Sequence, residues 1–404
     1  MSRTILINES PFGLRIMAAD EEGRPVRLLY RLRGQGPQAG SVYWARAGRR
    51  DKRTNLQRFD LGAGGEGVLP VKDRQVPEGQ MALLGVRREA SGGKLPLLTD
   101  RPSIHLPAAT MRPGSSEHRP GPLGLLEPPG SIGFLKDKPK APGPAAGVPP
   151  AALLLASAAK GDTEGVFVSS GALSAMLKPF VPDDIPIEVA SDLPKEFAAV
   201  TADAMNRTVP LEEGGALIID ETEALTAIDV DLGTAAGQSA RGAGDSLRKR
   251  VLNELGRVLS VRSIGGQVVL DLPRSAARAP KVLRDGLTAA LKAHGAVSIP
   301  AVTKEGLVIL VLGQNRASLL ETLTETGVDA PLPGRRFRPA VEAWMAYDDA
   351  LSATVEGRGL GTVSLTPAAA QVWKDADASS ALLGLRGAEP SLVVLDRDSE
   401  RTEA

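Results

Sequence analysis

The stretch GGALIIDETEALTAIDVDLG, residues 214–233, decides the reading of this chain. Two short apolar runs flank a polar turn, and the second ends in Asp229 and Asp231, one residue apart. Strand residues two apart project from the same face. The pattern therefore predicts a hairpin over 216–230 with two carboxylates side by side at its end. Asp220 closes the first run, and the later stretch LSVRSIGGQVVLDL (259–272) ends a third apolar run in Asp271. Strands tipped with acids at one edge of a sheet suit a magnesium site, because two or three carboxylates plus bound waters satisfy the octahedral ion. Such an ion activates water and offsets charge on a scissile phosphate. The other reading is that each aspartate simply ends its strand in a polar turn. Spacing alone leaves both open.

Around this hairpin the chain alternates helix and strand. Leu247, Val251, Leu255 and Val258 recur at helical spacing, predicting a helix over Ser246–Val261. Strand Gln267–Leu272, helix Pro280–Ala293 and strand Leu307–Leu312 complete an α/β unit. Upstream, Leu153–Leu155, Val166–Val168 and Ile185–Val189 read as strands, and Gly171–Lys178 and Leu193–Met205 as helices. At the N-terminus RTILIN (3–8) and GLRIMA (13–18) form a hairpin, followed by a strand through Val26 to Leu32. Residues 40–99 are short strands punctuated by glycine, as in a small barrel or sandwich. Residues 107–150 hold 11 prolines and 7 glycines, which leaves no room for a regular core and predicts a linker carrying Lys136, Lys138 and Lys140. Helices are expected near 339–353 and 367–375, then a strand Ser391–Leu395 and a frayed tail.

Composition narrows the chemistry. With no cysteine, disulfides and thiolate-ligated zinc or iron–sulfur centres are excluded. Three separated histidines, His105, His118 and His294, make a histidine metal site a poor fit, so carboxylates and a hard cation, Mg2+, are favoured. No apolar run reaches the roughly 18 residues of a membrane span, and no signal peptide opens the chain, so a soluble cytoplasmic protein is expected. The net charge is zero, yet residues 1–150 hold 23 Lys and Arg against 14 Asp and Glu. A basic region of this kind supplies the phosphate-binding component of nucleic-acid recognition, or is merely a solvated surface.

The wording of 214–233 followed by 259–272 resembles the catalytic core of the RNase E/G endoribonucleases. The TEAL run with flanking aspartates and the later Arg–x–x–Gly–Gly strand carry the likeness, and NRTVPLEEGG (206–215) leads into it as in the family. ILINESPFGLRIMAADEEGRPVRLL resembles the family's opening, and the segment from SVYWARAGRR to LPLLTDRPSI resembles its inserted RNA-binding barrel. The resemblance implies an α/β fold with an RNase H-like/DNase I-like nuclease core and an inserted S1-type OB-fold β-barrel. The implied divisions are N-terminal core strands (1–38), the barrel (39–106), and a linker with a degenerate 5′-sensor (107–160). The second part of the RNase H-like subdomain (161–205), a catalytic DNase I-like subdomain (206–325) and a divergent C-terminal domain with tail (326–404) follow.

Carried over, Asp229 and Asp271 fall on the family's two metal-binding aspartates, with Asp231 as an added ligand. Tyr43, Phe59 and Lys94 fall at or beside the barrel's RNA face, where stacking and a phosphate-binding lysine hold single strands. The implied function is Mg2+-dependent hydrolysis of single-stranded RNA. Several positions depart from the family: Asp231 replaces an asparagine, Leu232 a serine or threonine, and Leu272 a phenylalanine. If LLLASAAKG is the sensor strand, Ala156 replaces its arginine and only Ser157 keeps a hydroxyl. The paired cysteines of the family's zinc link, expected near Gly327–Arg338, are missing, so a homo-oligomer would not form through zinc. The competing expectation is a catalytically impaired RNA-binding protein that keeps the fold. A third is a partner-binding role of the acidic C-terminal half.

Overall fold

The computed structural model describes residues 4–71, 75–101, 140–145, 148–159, 161–233, 240–294, 296–326, 334–355, 362–386 and 390–395. Most of the Pro/Gly-rich stretch, residues 327–333 of the expected zinc-link position near 327–338, and the tail from 396 lie outside these residues. The protein is mixed α/β, with two main sheets, a closed barrel and a small C-terminal unit.

The chain opens with a meander of β1 (Thr4–Ser10), β2 (Gly13–Ala19) and β3 (Pro25–Leu32). The barrel follows: β4 (Val42–Asp51), β5 (Leu56–Asp60), β6 (Glu66–Pro70), β7 (Met81–Arg88) and β8 (Leu97–Thr99). Pairing runs β4–β5–β6–β8–β7 and back to β4, with β6 and β8 parallel. This closed five-strand order is compatible with an OB-fold. Alternating residues fill its interior, including Ala45, Phe59, Leu61, Leu84 and Leu98. A short strand, β9 (Gly143–Pro144), then pairs with the outer edge of β4.

Residues Leu153–Leu155, expected as a strand, instead form the middle of helix α1 (Pro150–Ala158). Its sequence PAALLLASA has proline at the first turn, where a missing N–H costs nothing, and no β-branched residue. It shows no amphipathic signal because both sides are covered. Leu154 and Leu155 pack on the first sheet, while Leu153 packs with Val42 and Trp44 of the barrel. After it come β10 (Gly165–Val168), α2 (Gly171–Leu177), β11 (Ile187–Val189) and α3 (Leu193–Met205). β10 pairs parallel with β1, so the first sheet has the order β11-β10-β1-β2-β3.

The second sheet is built from β12 (Thr208–Pro210), β13 (Ala216–Glu221), β14 (Thr226–Asp231), β15 (Gly266–Asp271), β16 (Val297–Val302) and β17 (Leu307–Leu312). Helices α4 (Ala240–Val261) and α5 (Pro280–Ala290) connect β14, β15 and β16. The order is β12-β13-β14-β15-β17-β16, antiparallel except for β14 and β15, which α4 joins as a parallel crossover. Leu247, Val251, Leu255 and Val258 of α4 are at most 3% exposed against the sheet's inner residues. Each such burial is worth about 1.5–3 kcal/mol.

The C-terminal unit holds α6 (Leu319–Leu323), β18 (Thr324–Thr326), β19 (Arg335–Phe337), α7 (Pro339–Val355), β20 (Thr362–Leu365), α8 (Pro367–Asp375), α9 (Ala378–Arg386) and β21 (Ser391–Val394). The chain has few aromatics, and several meet here: Phe12 lies 5.8 Å from Tyr347, and Tyr30 lies 5.4 Å from Trp344. A buried ion pair secures the same junction. Arg15 on β2 donates through Nε to Asn8 Oδ1 (2.8 Å) and through a terminal nitrogen to Asp348 Oδ2 of α7 (2.5 Å). Its guanidinium also lies over the rings of Phe197 and Trp344.

Candidate active site on the open face of the second sheet

Period-two alternation sorts the second sheet cleanly. Leu217, Ile219, Ile228, Val230, Val268, Leu270, Val308 and Leu310 point toward the helices and are buried. The opposite face carries Asp220, Asp229, Asp231, Gln267 and Asp271, all exposed, with Leu307 and Val311 also reaching solvent. The sequence expectation of carboxylates sharing one face of a hairpin strand matches this arrangement.

The register brings two of them together across strands. Asp229 on β14 pairs with Asp271 on β15 in the parallel ladder. In-register residues of neighbouring strands have backbones about 4.8 Å apart and side chains on the same face. Asp231 lies two residues beyond, past the last pairing with β15, and its Oδ1 accepts the Gly233 N–H at 3.0 Å. Among the described residues no group of three or more His, Cys, Asp or Glu is gathered in a way that would hold a metal ion. The donor set at the pair is thus two exposed carboxylates and solvent. That fits a hard, largely hydrated cation.

Asp220 belongs to a different arrangement. Arg207 grips it with Nε on Oδ1 at 2.6 Å and a terminal nitrogen on Oδ2 at 2.7 Å. These bonds hold the Asp220 carboxyl below the usual range. Arg207 itself is pushed upward, first by its bonds to Asp220 and also by the nearby Asp229 charge. Arg207 is thus within electrostatic reach of Asp229 while bound to Asp220. In the sequence Arg207 stands out only as part of NRTVPLEEGG, although an arginine between a helix and an acid-tipped hairpin is a usable signal.

Two glycines let the backbone close around the pair. Gly215 has φ +89°, and a Cβ there would fall 2.6 Å from the Asp231 carbonyl oxygen. Gly306 has φ +115°, and a Cβ would fall 1.8 Å from the carbonyl oxygen of Leu272, the residue after Asp271. The β16–β17 turn consequently rests directly on the end of the strand that presents Asp271.

The barrel residues divide differently. Lys94 is exposed in the β7–β8 turn, open to a phosphate. Phe59 is fully buried in the barrel interior, and Tyr43 is only 9% exposed in the same cluster. Neither ring offers a face for base stacking, which corrects the expectation. For Phe59 the cause is strand alternation: Arg58 and Asp60 of LQRFD are exposed, so their neighbour points inward. The solvent-facing side of the β4–β5 hairpin is instead basic, with Arg46, Arg49, Lys52, Arg53 and Arg58 exposed. The barrel is fixed to the second sheet's flank. Glu321 of α6 accepts from Ser91 Oγ (2.8 Å) and the Gly92 N–H (2.5 Å), and the Glu89 N–H donates to the Asn315 carbonyl (2.9 Å). No helix among the described residues is long and apolar enough to cross a membrane.

Residues 191–311 match the model of the Ribonuclease E/G family. The chloroplastic Ribonuclease E/G-like protein of Arabidopsis thaliana is 28% identical over 130 residues, which cover 30% of this chain and 13% of that protein. Ribonuclease E of Escherichia coli (strain K12) is 31% identical over 126 residues, covering 30% of this chain and 12% of the relative. Ribonuclease G of Salmonella typhimurium (strain SL1344) is 35% identical over 71 residues, covering 17% and 14%. The match thus spans 12–14% of the length of these relatives. The range matched by the family model includes the second sheet from β12 to the penultimate residue of β17, with both in-register aspartates. Over residues 191–311, then, the chain is similar to the Ribonuclease E/G family.

Proposed function

We propose that this protein is an endoribonuclease acting on single-stranded RNA through Asp229 and Asp271. The observation that carries the reading is the parallel register of these two residues on the open face of the family segment. Asp229 and Asp271 would hold Mg2+, with Asp231 beside them. When bound, the ion supplies charge against the scissile phosphate and lowers the pKa of a water. The chain's own residues do the rest. The two carboxylates set the position of that charge at the ends of β14 and β15, and Arg207, paired with Asp220, adds positive charge within electrostatic reach of Asp229. No wall stands over the exposed aspartates among the described residues, so a polymer can lie across the sheet. The basic β4–β5 hairpin and Lys94 supply phosphate contacts on the barrel.

The topology supports the finer fold reading as well. β1, β10 and β11 are mutually parallel beside the antiparallel β1–β2–β3 meander, which is the arrangement of an RNase H-like sheet. We read the barrel as its S1-type insertion and the second sheet with α4 and α5 as the DNase I-like subdomain.

The test uses the full chain, a fluorescent A/U-rich single-stranded RNA and Mg2+, beside Asp229→Asn and Asp271→Asn. Each variant is expected to lower the cleavage rate about 10²–10³-fold, the usual cost of removing one group that stabilises transition-state charge. Undiminished cleavage in both variants would sink the site. Salt-sensitive RNA binding without any cleavage by the native chain would replace the enzyme reading with that of an RNA-binding relative.

A further inference from the structure

On the open face of the second sheet, in-register residues form rows that cross the strands. One row holds Asp229, Asp271 and Leu307, with Ile218 of β13 at its end. The next row lies two residues further along each strand, roughly 7 Å away. It holds Ala227, Val269, Ile309 and Ala301, all half-buried, and ends at Asp220. A third row holds Gln267, Val311 and Ser298, all exposed. Beyond Val311 the chain runs on to Asn315, whose carbonyl accepts the Glu89 N–H of the barrel. The order along the sheet is thus carboxylates, an apolar row, an amide, and then the barrel.

The core of this sheet is on its other face, against α4 and α5. A solvated sheet face ordinarily carries polar residues. Here Val269 and Ile309 sit at its centre instead, and Leu307 and Val311 beside them are 39% and 43% exposed. An apolar patch rimmed by polar groups marks an interaction surface.

The rim decides what the surface takes. Asp220, Asp229, Asp231 and Asp271 repel a phosphate laid on them without a cation between. The apolar row carries no charge and no side-chain donor, so it suits a flat, uncharged ring, whichever base that is. A nucleotide has the same alternation, a charged phosphate followed by a neutral base with a polar edge. With the phosphate at Asp229 and Asp271, the base falls over Val269 and Ile309 and turns its edge toward Gln267. An amide sets one donor beside one acceptor. That pattern pairs with N6 and N7 of adenine, whereas guanine shows two acceptors on the same edge. Unstacked bases of single-stranded RNA are recognised in this way, by contact with their faces and hydrogen bonds to their edges.

We propose that Val269 and Ile309 form a rest for one base of an RNA strand and that Gln267 selects adenine there. The assignment rests on the function proposed above, since the phosphate of that nucleotide is the one held at the aspartates. Val269, Ile309 and Gln267 then determine which base stands beside the scissile bond.

The experiment uses the full chain with Mg2+. Fluorescence anisotropy measures binding of short oligo(A), oligo(U) and oligo(C), a readout that needs no cleavage. End-mapping of the products from an RNA randomised around its cleavage position reads the base preference of the reaction. The variants are Gln267→Leu and Ile309→Ser, with Val282→Ser on the exposed side of α5 as a control. The native chain is expected to bind oligo(A) about tenfold tighter than the other two. Gln267→Leu levels that preference and leaves oligo(U) affinity unchanged. Ile309→Ser weakens all three alike, by about threefold or more, and Val282→Ser changes nothing. Equal affinity for the three in the native chain overturns the proposal, as does an adenine preference that survives Gln267→Leu. If cleavage still depends on Asp229 and Asp271 in that case, the function stands and only the base rest falls. A preference lost in Gln267→Leu by a chain that never cleaves keeps the base rest and removes the nuclease. If the native chain binds no RNA and self-associates through a contact that Ile309→Ser disperses, the apolar row belongs to a second copy and the proposal is overturned.

Discussion

The first sheet is covered on both faces. Ile5, Ile7, Ile16 and Val166 pack against α1 and α2 on one side, while Leu6, Met17 and Leu28 pack against α3 and the C-terminal unit on the other. Among the described residues, α4 and α5 back one face of the second sheet, and the acids of its other face are exposed around a half-buried apolar centre. The two are neighbours, since Arg257 of α4 donates to the Pro25 carbonyl of β3 at 3.0 Å. A sheet enclosed on both sides fixes positions. A sheet with one bare face can present side chains to a large ligand without a conformational change. The first serves as foundation, and the second is the face on which the proposed function would lie.

That contrast can be broken hardest at the foundation. Arg15→Ala removes one partner of the buried pair that docks α7 on the first sheet, and a loss of about 3–5 kcal/mol is expected from chemical denaturation. A smaller effect should follow pH at the same place. Burial raises Asp348 from 3.8 to about 6, outweighing the attraction of Arg15. A carboxyl raised in the folded state contributes stability that is fully present below its unfolded value near 4 and is lost as pH rises through about 6. Relative to Asp348→Asn, the native chain should therefore lose on the order of 1–3 kcal/mol between pH 4 and 7. A flat difference across that window would mean that the group is not strained by its surroundings. The smallest stability effect belongs to the second sheet: Arg207→Gln opens an exposed pair and should cost less than about 1 kcal/mol. Its RNA cleavage should nevertheless fall more than its melting midpoint suggests, which sharpens the separation between the two sheets.

The same contrast explains what the sequence disclosed. Half-covered elements announce themselves through period, and the hairpin 216–230 and helix Leu193–Met205 were legible for that reason. A short apolar run covered on every side does not by itself separate helix from strand. α1 is apolar on every side because sheet and barrel both cover it, so LLL read as a strand. β16 went unread because VSIPAV carries Pro300, which disfavours a strand interior. The edge position and the irregular register between Ser298 and Ala301 accommodate it. At the site, the partnership of Asp229 with Asp271 came from family wording rather than spacing, since α4 separates the two strands in the chain. The Arg207–Asp220 pair was not legible because it exists only once β12 and β13 lie side by side. Phe59 was misplaced by treating adjacent strand residues as interchangeable.

The small pairing of β9 with β4 bears on the order in which the molecule assembles. β1 must find β10 across some 160 intervening residues, Thr4 opposite Gly165. Contacts that distant in the chain ordinarily slow folding, because the intervening loop loses entropy before any contact rewards it. Here Tyr43 stands opposite Pro144, so the chain leaves the barrel beside the point where it entered. Once the barrel has formed, nearly a hundred residues collapse into a single short step for the polymer, and the search that completes the first sheet becomes a local one.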